Sequence, residues 1–317
     1  MRIAFASCAF SRVCPNQPVW THIAQQAPDH LVLLGDSTYF DLAGGPPPQA
    51  MSDDEFAQHV FQLYSEAIAQ PEFAALVAGL PAGSVHAIWD DHDFLWNDAN
   101  GAEERVVHGE KIRLSTAFLE AFRAALAAGL AAGSFPNAYN DALFWDLDQP
   151  PLTTPSRQLD ADLWLHLSDG RTHRTRTWLL QESKRTIFGS AQRDAFTQAI
   201  TAAPQALHLW ASGSTVAGYQ RYTRDLEWLK GLAGGQRMLM LSGDIHRNEI
   251  DAFYTGGWPL HEATSSGAAV RDAVLAGAER QNHGLLDIDV QSVTISLYKR
   301  GQLEQQRMLS RLTWMPV

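Results

Sequence analysis

Short apolar runs alternate with longer amphipathic segments through the first 245 residues of the chain. The amphipathic segments at residues 52–69, 109–132 and 189–203 have the length and periodicity of helices. The apolar runs have the length of buried strands, and they read RIAFAS, HLVLLG, SVHAIW, QALHLWAS and RMLMLSG. Alternating strands and helices are typical of βαβ units, so the pattern predicts an α/β protein with a mostly parallel sheet.

Beyond residue 245 the pattern changes to closely spaced strands with short turns. In HGLLDIDVQSVTISLYKRGQ, apolar and polar residues alternate, which predicts antiparallel hairpins and a second sheet. The proline-rich residues 145–160 predict an insertion loop or a lid, and GGPPP at 44–48 predicts a surface loop. No repeat or low-complexity segment divides the chain, so we expect one domain over residues 1–317.

The composition is that of a packed globular protein with an acidic balance. Hydrophobic residues make up 45% of the chain and charged residues 19%, and the formal net charge is −11. This charge argues against general nucleic-acid binding and against docking on a membrane of anionic lipid, because both require basic surfaces. One local basic run, RTHRTR at 171–176, alternates Arg with Thr, which predicts the solvated face of a strand.

Two features bear on the cellular compartment. Cys8 and Cys14 are the only cysteines, too few for a disulfide framework. The first residues lack the apolar core of a signal peptide, and no run approaches the roughly 18 apolar residues of a membrane span. We therefore expect a cytoplasmic protein. A protein whose leader peptide has been removed would show the same two features.

Side chains that can bind metal ions follow three of the predicted strands. Because the carboxyl ends of parallel strands lie along one edge of a sheet, we expect these side chains to converge, joined by Cys8 after the first strand. They are Asp36, Tyr39 and Asp41 after the second strand, Asp90, Asp91, His92, Asp93, Asn97 and Asp98 after the third, and Asp244 and His246 after the fifth.

The converging carboxylates predict a bound cation, since no Lys or Arg stands among them in the sequence. Carboxylate, imidazole and phenol groups bind iron, manganese and zinc, or calcium and magnesium where oxygens dominate. Two such ions, roughly 3.5 to 4 Å apart, activate a water and clamp the oxygens of an in-line displacement at phosphorus. Each residue alone has an ordinary alternative as a turn, a helix cap, a hydrogen-bonded histidine or a core side chain. Their occurrence together favours phosphoester hydrolysis.

The same motifs, in their order along the chain, resemble those of the PhoD-like alkaline phosphatases, a branch of the calcineurin-like metallophosphoesterase superfamily. The resemblance covers most of the chain, and WDDHD with SGDIH is a fairly specific pair. It implies a four-layer αββα sandwich with mixed sheets. The motifs are FASC at 5–8, LGDSTYFD at 34–41, IWDDHDFLWND at 88–98, LSGDIH at 241–246 and HEATSSG at 261–267.

The resemblance also implies roles for individual residues. His92 would act beside the leaving group, as a general acid or as a positive charge near the phosphoryl oxygens. Asp36 would bridge two metals, and Cys8 and Tyr39 would bind an iron-like ion. The remaining ligands would be Asp91, Asn97, Asp244 and His246.

Departures from the superfamily pattern change the expected metals. Ser7-Cys8-Ala9 stands where the superfamily has Asp-x-His, and Gly243-Asp244-Ile245-His246 stands where it has Gly-His-x-His. The site then has fewer imidazoles than a di-zinc site, so we expect two or more ions, iron with calcium or manganese, with zinc as the alternative. His208, the candidate for a further ligand, lies inside an apolar run, which predicts a core position.

Two further segments bear on the substrate. The branch tends to carry Asp-x-Arg near Gly-x-x-Gln, but here the segment Glu182-Ser183-Lys184 precedes Gly189-Ser190-Ala191-Gln192. Arg221, in GYQRYTRD after the fourth strand, could grip a phosphate oxygen with its guanidinium or face solvent at a helix start.

The sequence therefore predicts a metal-dependent phosphomonoesterase or phosphodiesterase that acts on a small phosphate ester. Two alternatives stay open. The centre could cleave another ester, such as a phosphotriester, or the chain could be a metal-binding or sensor protein that keeps the fold without catalysis.

Overall fold

The computed structural model describes residues 1–148, 152–176, 178, 180–273 and 275–317, in which twelve strands form two six-stranded sheets. Most of the central strands are buried along their whole length, as expected for sheets covered on both faces. In chain order the strands are β1 (Arg2–Ala6), β2 (His30–Leu34), β3 (Val85–Ile88), β4 (Ser156–Asp160), β5 (Leu163–Leu167), β6 (Leu207–Ser212), β7 (Arg237–Ser242), β8 (Asn248–Phe253), β9 (Leu260–Ser265), β10 (Asn282–Ile288), β11 (Ser292–Lys299) and β12 (Gln302–Ser310).

Helices connect the strands and cover the outer faces of the two sheets. Among the described residues, no helix is long and apolar enough to cross a membrane. The helices are α1 (Pro18–Gln25), α2 (Asp53–Ile68), α3 (Pro71–Gly79), α4 (Gly101–Ala127), α5 (Ala142–Trp145), α6 (Gly189–Thr201) and α7 (Thr223–Gly235), with 3₁₀ helices at Pro48–Ala50, Glu182–Lys184 and Ala217–Arg221.

Both sheets are mixed, and the parallel strands lie at one end of the first sheet and in the centre of the second. In the first sheet the order is β12-β11-β10-β1-β2-β3, with β1, β2 and β3 parallel and β10 antiparallel to β1. In the second sheet the order is β4-β5-β6-β7-β9-β8, with antiparallel strands at both edges. The carboxyl ends of the parallel strands meet on one side of the molecule, where the backbone of Gly213 after β6 lies against Asp90 after β3.

Side chains alternate between the two faces of each strand and so build three hydrophobic cores. Ile3 and Phe5 of β1 belong to the core between the sheets, with leucines of β5, β6 and β7. Ala4 and Ala6 of the same strand belong to the core under α1 to α4. Trp210 of β6 belongs to a third core, under α6 and α7. The predicted four-layer αββα sandwich with mixed sheets is therefore confirmed.

The distribution of strands between the sheets differs from the sequence prediction. The five apolar runs do not share one sheet, because β1, β2 and β3 lie in the first and β6 and β7 in the second. The C-terminal strands are antiparallel as predicted, but β10, β11 and β12 extend the first sheet beside β1 rather than forming a sheet of their own. An apolar run marks a buried strand, but it does not select the neighbour with which that strand pairs.

Local predictions were right for helices and partly wrong for loops. The segments 52–69 and 189–203 contain α2 and α6, and α2 begins at a capping box formed by Ser52 and Glu55. The segment 109–132 starts too late, because α4 begins at Gly101 and continues through a non-helical residue, His108. The predicted loop at 145–160 contains β4, which pairs with β5, while its residues 149–151 lie outside the described residues.

A buried pair of histidines in the second sheet makes the stability of the fold sensitive to acid. The His166 ring lies 3.0 Å from His208 through Nε2 and 2.8 Å from Ser156 through Nδ1, and neither histidine is exposed to solvent. Burial, and then the neighbouring His208, lower the pKa of His166 from 6.5 to about 3. The core position predicted for His208 is thus observed.

We expect His166 to contribute stability that is present above pH 6.5 and is lost as the pH falls towards 3, because only the unfolded chain binds the proton in that window. Between pH 7.5 and 5.0 its share of the loss should be about 2 kcal/mol. Denaturant unfolding of His166→Phe at both values measures this share, since the variant should lose that much less than the wild type. An equal loss in both proteins would show that His166 does not titrate in this way.

Candidate metal centre

The loops after β1, β2, β3 and β7 bring the predicted ligands together. Cys8 Sγ lies 3.4 Å from Asp36 Oδ2, and the backbone N–H of His92 donates to Asp36 Oδ1 at 3.3 Å. Tyr39 Oη lies 3.5 Å from His246 Nε2. The strands that carry these loops come from both sheets, so the convergence occurs at one end of the sandwich rather than along one sheet edge.

Four of the predicted ligands have a left-handed backbone, which residues other than glycine rarely adopt. The φ angles are 63° at Cys8, 52° at Asp36, 71° at Asp244 and 52° at His246. Such conformations cost of order 1–3 kcal/mol each and cluster where a side chain must be aimed at a functional site. The conformations that place these four side chains therefore lower the stability of the fold.

Two overlapping groups of residues could each hold a metal ion. Asp36, Asp91 and His92 form one group, and Asp90, Asp91 and Asp244 form the other, with ligand atoms in each group within 4.8 Å of one another. Asp90 Oδ2 and Asp91 Oδ1 are buried and accept no hydrogen bond from the described part of the chain. Buried carboxylate oxygens without donors are costly, and a cation would satisfy them.

The chemistry of the donors also fits metal ions. Burial raises the pKa of Asp36 well above its usual range, and it raises the pKa values of the Cys8 thiol and the Tyr39 phenol. Without a cation these three acids would hold their protons. A bound ion reverses this preference, since it stabilises carboxylate, thiolate and phenolate. The residues present are thus suited to an ion that supplies the missing positive charge.

The expectation that no basic residue stands among the carboxylates was wrong, because Arg171 lies beside Asp90 and Asp91. Its Nε donates to Asp90 Oδ1 at 2.6 Å, and its Nη2 lies 3.3 Å from Asp91 Oδ1 without hydrogen-bond geometry. Arg171 is 2% exposed and belongs to RTHRTR, which is a turn after β5 and not a strand. Burial still raises the pKa of Asp90 to about 7, although Arg171 opposes the shift. The guanidinium therefore balances Asp90. Although burial opposes the shift, Arg171 and His92 also lower the pKa of Asp91. Burial raises the pKa values of Asp36 and Asp244, and these two carboxylates keep their need for a cation.

Asp169 holds the turn that carries Arg171. Its Oδ1 accepts the backbone N–H groups of Arg171 and Thr172, both at 3.0 Å, and the indole N–H of Trp89 at 2.8 Å. The side-chain amide of Gln192 donates to the Asp169 carbonyl and accepts from its N–H. The Asp-x-Arg sequence next to a Gly-x-x-Gln is therefore present as Asp169-Gly170-Arg171. Sequence reasoning placed Glu182–Lys184 at this position and did not single out Asp169, whose location two residues after β5 is the signal that could have identified it.

Two glycines allow the loops to close around Asp90. A Cβ on Gly35 would lie 2.5 Å from the Asp90 backbone nitrogen, and Gly35 has a φ of 93°. A Cβ on Gly213 would lie 2.5 Å from Asp90 Cγ. Larger residues would separate the loops after β2 and β6 from the loop after β3.

Asp41 orients the ring of His92. The His92 Nδ1 lies 2.7 Å from Asp41 Oδ1, while Asp41 Oδ2 accepts the backbone N–H of Asn97 at 2.9 Å. Although burial lowers the pKa of His92, the hydrogen bond to Asp41 and the charges of Asp36 and Asp91 raise it to about 10. The imidazole ring is thus held in its protonated form, with Nδ1 hydrogen-bonded to Asp41. Asp41 received no role from sequence reasoning.

The structure does not bring the Asn97 side chain into the cluster. Asn97 is exposed, and its amide donates to Asp98 Oδ2 at 3.3 Å. By contrast, Ser266 of HEATSSG enters the site, because its Oγ accepts the backbone N–H of His246 at 3.0 Å and lies 3.3 Å from Cys8 Sγ. Arg221 is exposed on the wall of a cleft beside the centre.

Two mixed sheets packed face to face between helices, with the candidate site at the carboxyl ends of the strands, define a metallophosphoesterase-like sandwich. The solved structure of PhoD is similar over 100% of this chain and 71% of its own, with a TM-score of 0.67 and 13% sequence identity. This similarity shows the fold.

Two smaller similarities are to a predicted phosphoesterase from Streptococcus pneumoniae TIGR4 and to YfcE, a phosphoesterase from E. coli. The first has a TM-score of 0.35 and 9% sequence identity, over 98% of this chain and 97% of its own. The second has a TM-score of 0.33 and 11% sequence identity, over 96% of this chain and 98% of its own. No protein-family model matches the sequence, and no curated protein matches it.

Proposed function

We propose that this protein hydrolyses small phosphate esters at a centre of two or more metal ions. The observation that carries the proposal is the convergence of Cys8, Asp36, Asp244 and His246, each in a left-handed conformation, around buried carboxylate oxygens without donors. Thiol, carboxylate and imidazole groups in one cluster are suited to transition metals, and such centres serve hydrolysis at phosphorus. The fold shared with PhoD supports the same conclusion.

Asp36 is the proposed bridge because its two oxygens face different neighbours. Its Oδ2 faces Cys8 Sγ at 3.4 Å, and its Oδ1 faces the His92 backbone N–H, on the side of Asp91. Cys8 and Tyr39 would complete the ligands of one ion on the thiol side. A thiolate and a phenolate favour iron there, with zinc as the alternative.

The second ion would lie on the side of Asp91, with Asp244. His246 would complete the cluster from the thiol side, where its Nε2 lies 3.5 Å from Tyr39 Oη. Oxygen donors dominate the Asp91 side, which favours calcium or manganese. Asn97 is left out of this ligand set because its side chain is exposed and bound to Asp98.

When bound, the ions would lower the pKa of a water molecule and neutralise the charge of the phosphoryl group. The chain itself supplies the proton for the leaving group. Asp41 holds His92 by Nδ1, and this hydrogen bond to a carboxylate favours the protonated imidazolium. His92 would then donate its Nε2 proton to the leaving oxygen, or stabilise the charge that develops there.

Replacing His92 with alanine should lower kcat by about 10²- to 10⁴-fold, which is the usual contribution of a general acid. Metal content should stay at the wild-type level, because the proposed ligands remain. Steady-state kinetics and elemental mass spectrometry measure the two effects. His59→Ala is the matched control, since His59 hydrogen-bonds the Phe40 carbonyl outside the cluster and its loss should leave kcat within about twofold. A wild-type kcat in His92→Ala would show that His92 is not the general acid.

The proposed function is tested directly by metal analysis and a substrate panel. Elemental mass spectrometry of the purified protein should find two or more metal equivalents per chain. The panel contains a phosphomonoester, a phosphodiester, a phosphotriester and a carboxyl ester. Turnover of a mono- or diester that is lost on chelation and restored by metal supports the proposal. A protein that binds metal but cleaves none of the four would be a binding protein, and one that cleaves only the triester or the carboxyl ester would be a different esterase.

A further inference from the structure

A cleft of about 520 Å³ opens beside the metal centre, and arginines line it. The turn after β5 contributes Arg171, Arg174 and Arg176, and the 3₁₀ helix after β6 contributes Arg221. We call this cleft the arginine pocket. Asp244 is the one proposed metal ligand on its described walls, so the pocket adjoins the centre rather than containing it.

Two guanidinium groups of the arginine pocket form no ion pair with a described residue. Arg174 is buried, yet its guanidinium forms no ion pair with a described carboxylate. Its Nη2 donates to Ser214 Oγ at 2.7 Å, and the group lies 5.7 Å from the centre of the Tyr222 ring. Its Nε has no hydrogen-bond partner in the described part of the chain. Burial and then the charge of Arg171 lower the pKa of Arg174. A buried guanidinium without a carboxylate is costly, and an anion in the pocket would offset that cost.

Two of the other arginines also have guanidinium groups that are not fully paired. Arg171 has Asp90 as its partner on one side, but its buried Nη1 has no hydrogen-bond partner among the described residues. Arg221 is exposed and forms no ion pair within the described ranges. Arg176 is neutralised, because its Nη2 lies 2.5 Å from Glu104 Oε1. Arg174 and Arg221 therefore remain without an ion pair among the described residues, on walls that also carry Asp98 and the proposed metal ligand Asp244. The net charge of the whole chain is −11.

The turn that carries Arg171 and Arg174 is held against α4 before any ligand binds. The first backbone N–H groups of α4, from Gly101 and Ala102, donate to the carbonyls of Arg171 and Arg174, both at 3.1 Å. A Cβ on Gly101 would lie 2.5 Å from the Thr172 carbonyl oxygen, so glycine permits this contact. Preorganised donors of this kind bind an anion without the cost of ordering them.

The size of the pocket argues for more than the phosphoryl group that reacts. A volume of about 520 Å³ lies in the range of sites that enclose a whole small molecule. His92 and Asp36, where the reacting group would lie, are not on its described walls. Two guanidinium groups beyond the reacting phosphoryl group are suited to bind a second anionic group of the same substrate molecule.

We propose that the arginine pocket binds a second phosphate of the substrate, so that this enzyme acts on small esters that carry two phosphate groups. The inference rests on the proposed function, since it specifies the substrate class of that site. Arg174 and Arg221 would bind the phosphate that is not cleaved, and Arg171 would link the pocket to the carboxylates of the metal centre.

The test compares two substrates of one nucleoside, adenosine 5′-monophosphate and adenosine 3′,5′-bisphosphate, with the metal-replete enzyme. We expect kcat/KM to be at least 10-fold higher for the bisphosphate. Arg174→Gln and the exposed Arg221→Gln should each reduce this preference to about twofold or less, while Arg157→Gln, an exposed arginine of β4 outside the pocket, should retain it. Equal kcat/KM values for the two substrates in the wild type would overturn the inference and leave the proposed function standing.

A binding measurement separates the inference from the proposed function. If neither nucleotide is hydrolysed, calorimetric titration with adenosine 3′,5′-bisphosphate still reports on the pocket. Affinity that falls at least 10-fold in Arg174→Gln and Arg221→Gln, but not in Arg157→Gln, supports the pocket as a phosphate site. No binding, or equal affinity in all four proteins, overturns it.

Discussion

Replacing Asp36 with asparagine should remove metal from the protein and lower kcat/KM by about 10³-fold or more, because bound ions supply several kcal/mol of transition-state stabilisation. Asparagine keeps the size of the side chain and tolerates the φ of 52° at this position, so the loop after β2 should keep its shape. What the variant loses is the negative charge and one of the two oxygens, which in Asp36 face Cys8 and the Asp91 side. Elemental mass spectrometry and steady-state kinetics measure both effects.

Asp93→Asn is the matched control for Asp36→Asn. Asp93 is buried in the same cluster, but its oxygens accept the backbone N–H groups of Asp90 and Ser37 at 2.7 and 2.9 Å. Its amide variant should lose about 1–3 kcal/mol of stability through weakened hydrogen bonds and retain its metal. Full metal content in Asp36→Asn, or equal metal loss in both variants, would contradict the assignment of Asp36 as the bridge.

Replacing Arg171 with methionine should destabilise the protein by about 3–5 kcal/mol, because removing one partner of a buried ion pair leaves the other partner uncompensated. Arg171 and Asp90 are both 2% exposed in their side chains, so Asp90 would stay buried in the variant. The turn at 169–174 should also loosen, since Arg171 ties it to the loop after β3. Denaturant unfolding measures the loss.

The double variant Asp90→Asn with Arg171→Met tests whether the two residues act as a pair. It should be more stable than Arg171→Met alone, because it no longer buries an unpaired carboxylate. Arg2→Met is the surface comparison, since Arg2 and Asp287 are 41% and 43% exposed and their pair should contribute about 1 kcal/mol or less. A double variant as unstable as the single one would show that Asp90 and Arg171 are not energetically coupled.

Much of the candidate site could be predicted because its residues directly follow buried strands. Asp36, Asp91 and Asp244 each come within three residues of an apolar run, and the resemblance to a known family supplied the expected fold. The helices α2 and α6 were also predictable, because helical periodicity and caps are local properties of the sequence. Asn97 stands in the same motif as Asp91, yet the chain turns its side chain outward to Asp98.

The basic run RTHRTR shows where sequence patterns fail. Its alternation has the period of a strand, but alternation does not report whether an arginine is solvated or buried. Arg171 is buried only because Asp90, 81 positions away in the chain, lies opposite it, and because Gln192 and Trp89 fix Asp169 beside it. Arg174 is buried for a similar reason, against Ser214 and Tyr222.

The sequence by itself determined the positions of β1, β2, β3, β6 and β7, of α2 and α6, and of the donor residues that follow these strands. Each of these depends on neighbours along the chain. The tertiary structure alone decided how the strands divide between two sheets, which carboxylates meet Arg171, and that a pocket of unpaired arginines opens beside them. These features depend on contacts between residues far apart in sequence, and the free energy of a buried charge is set by whichever group the fold places opposite it.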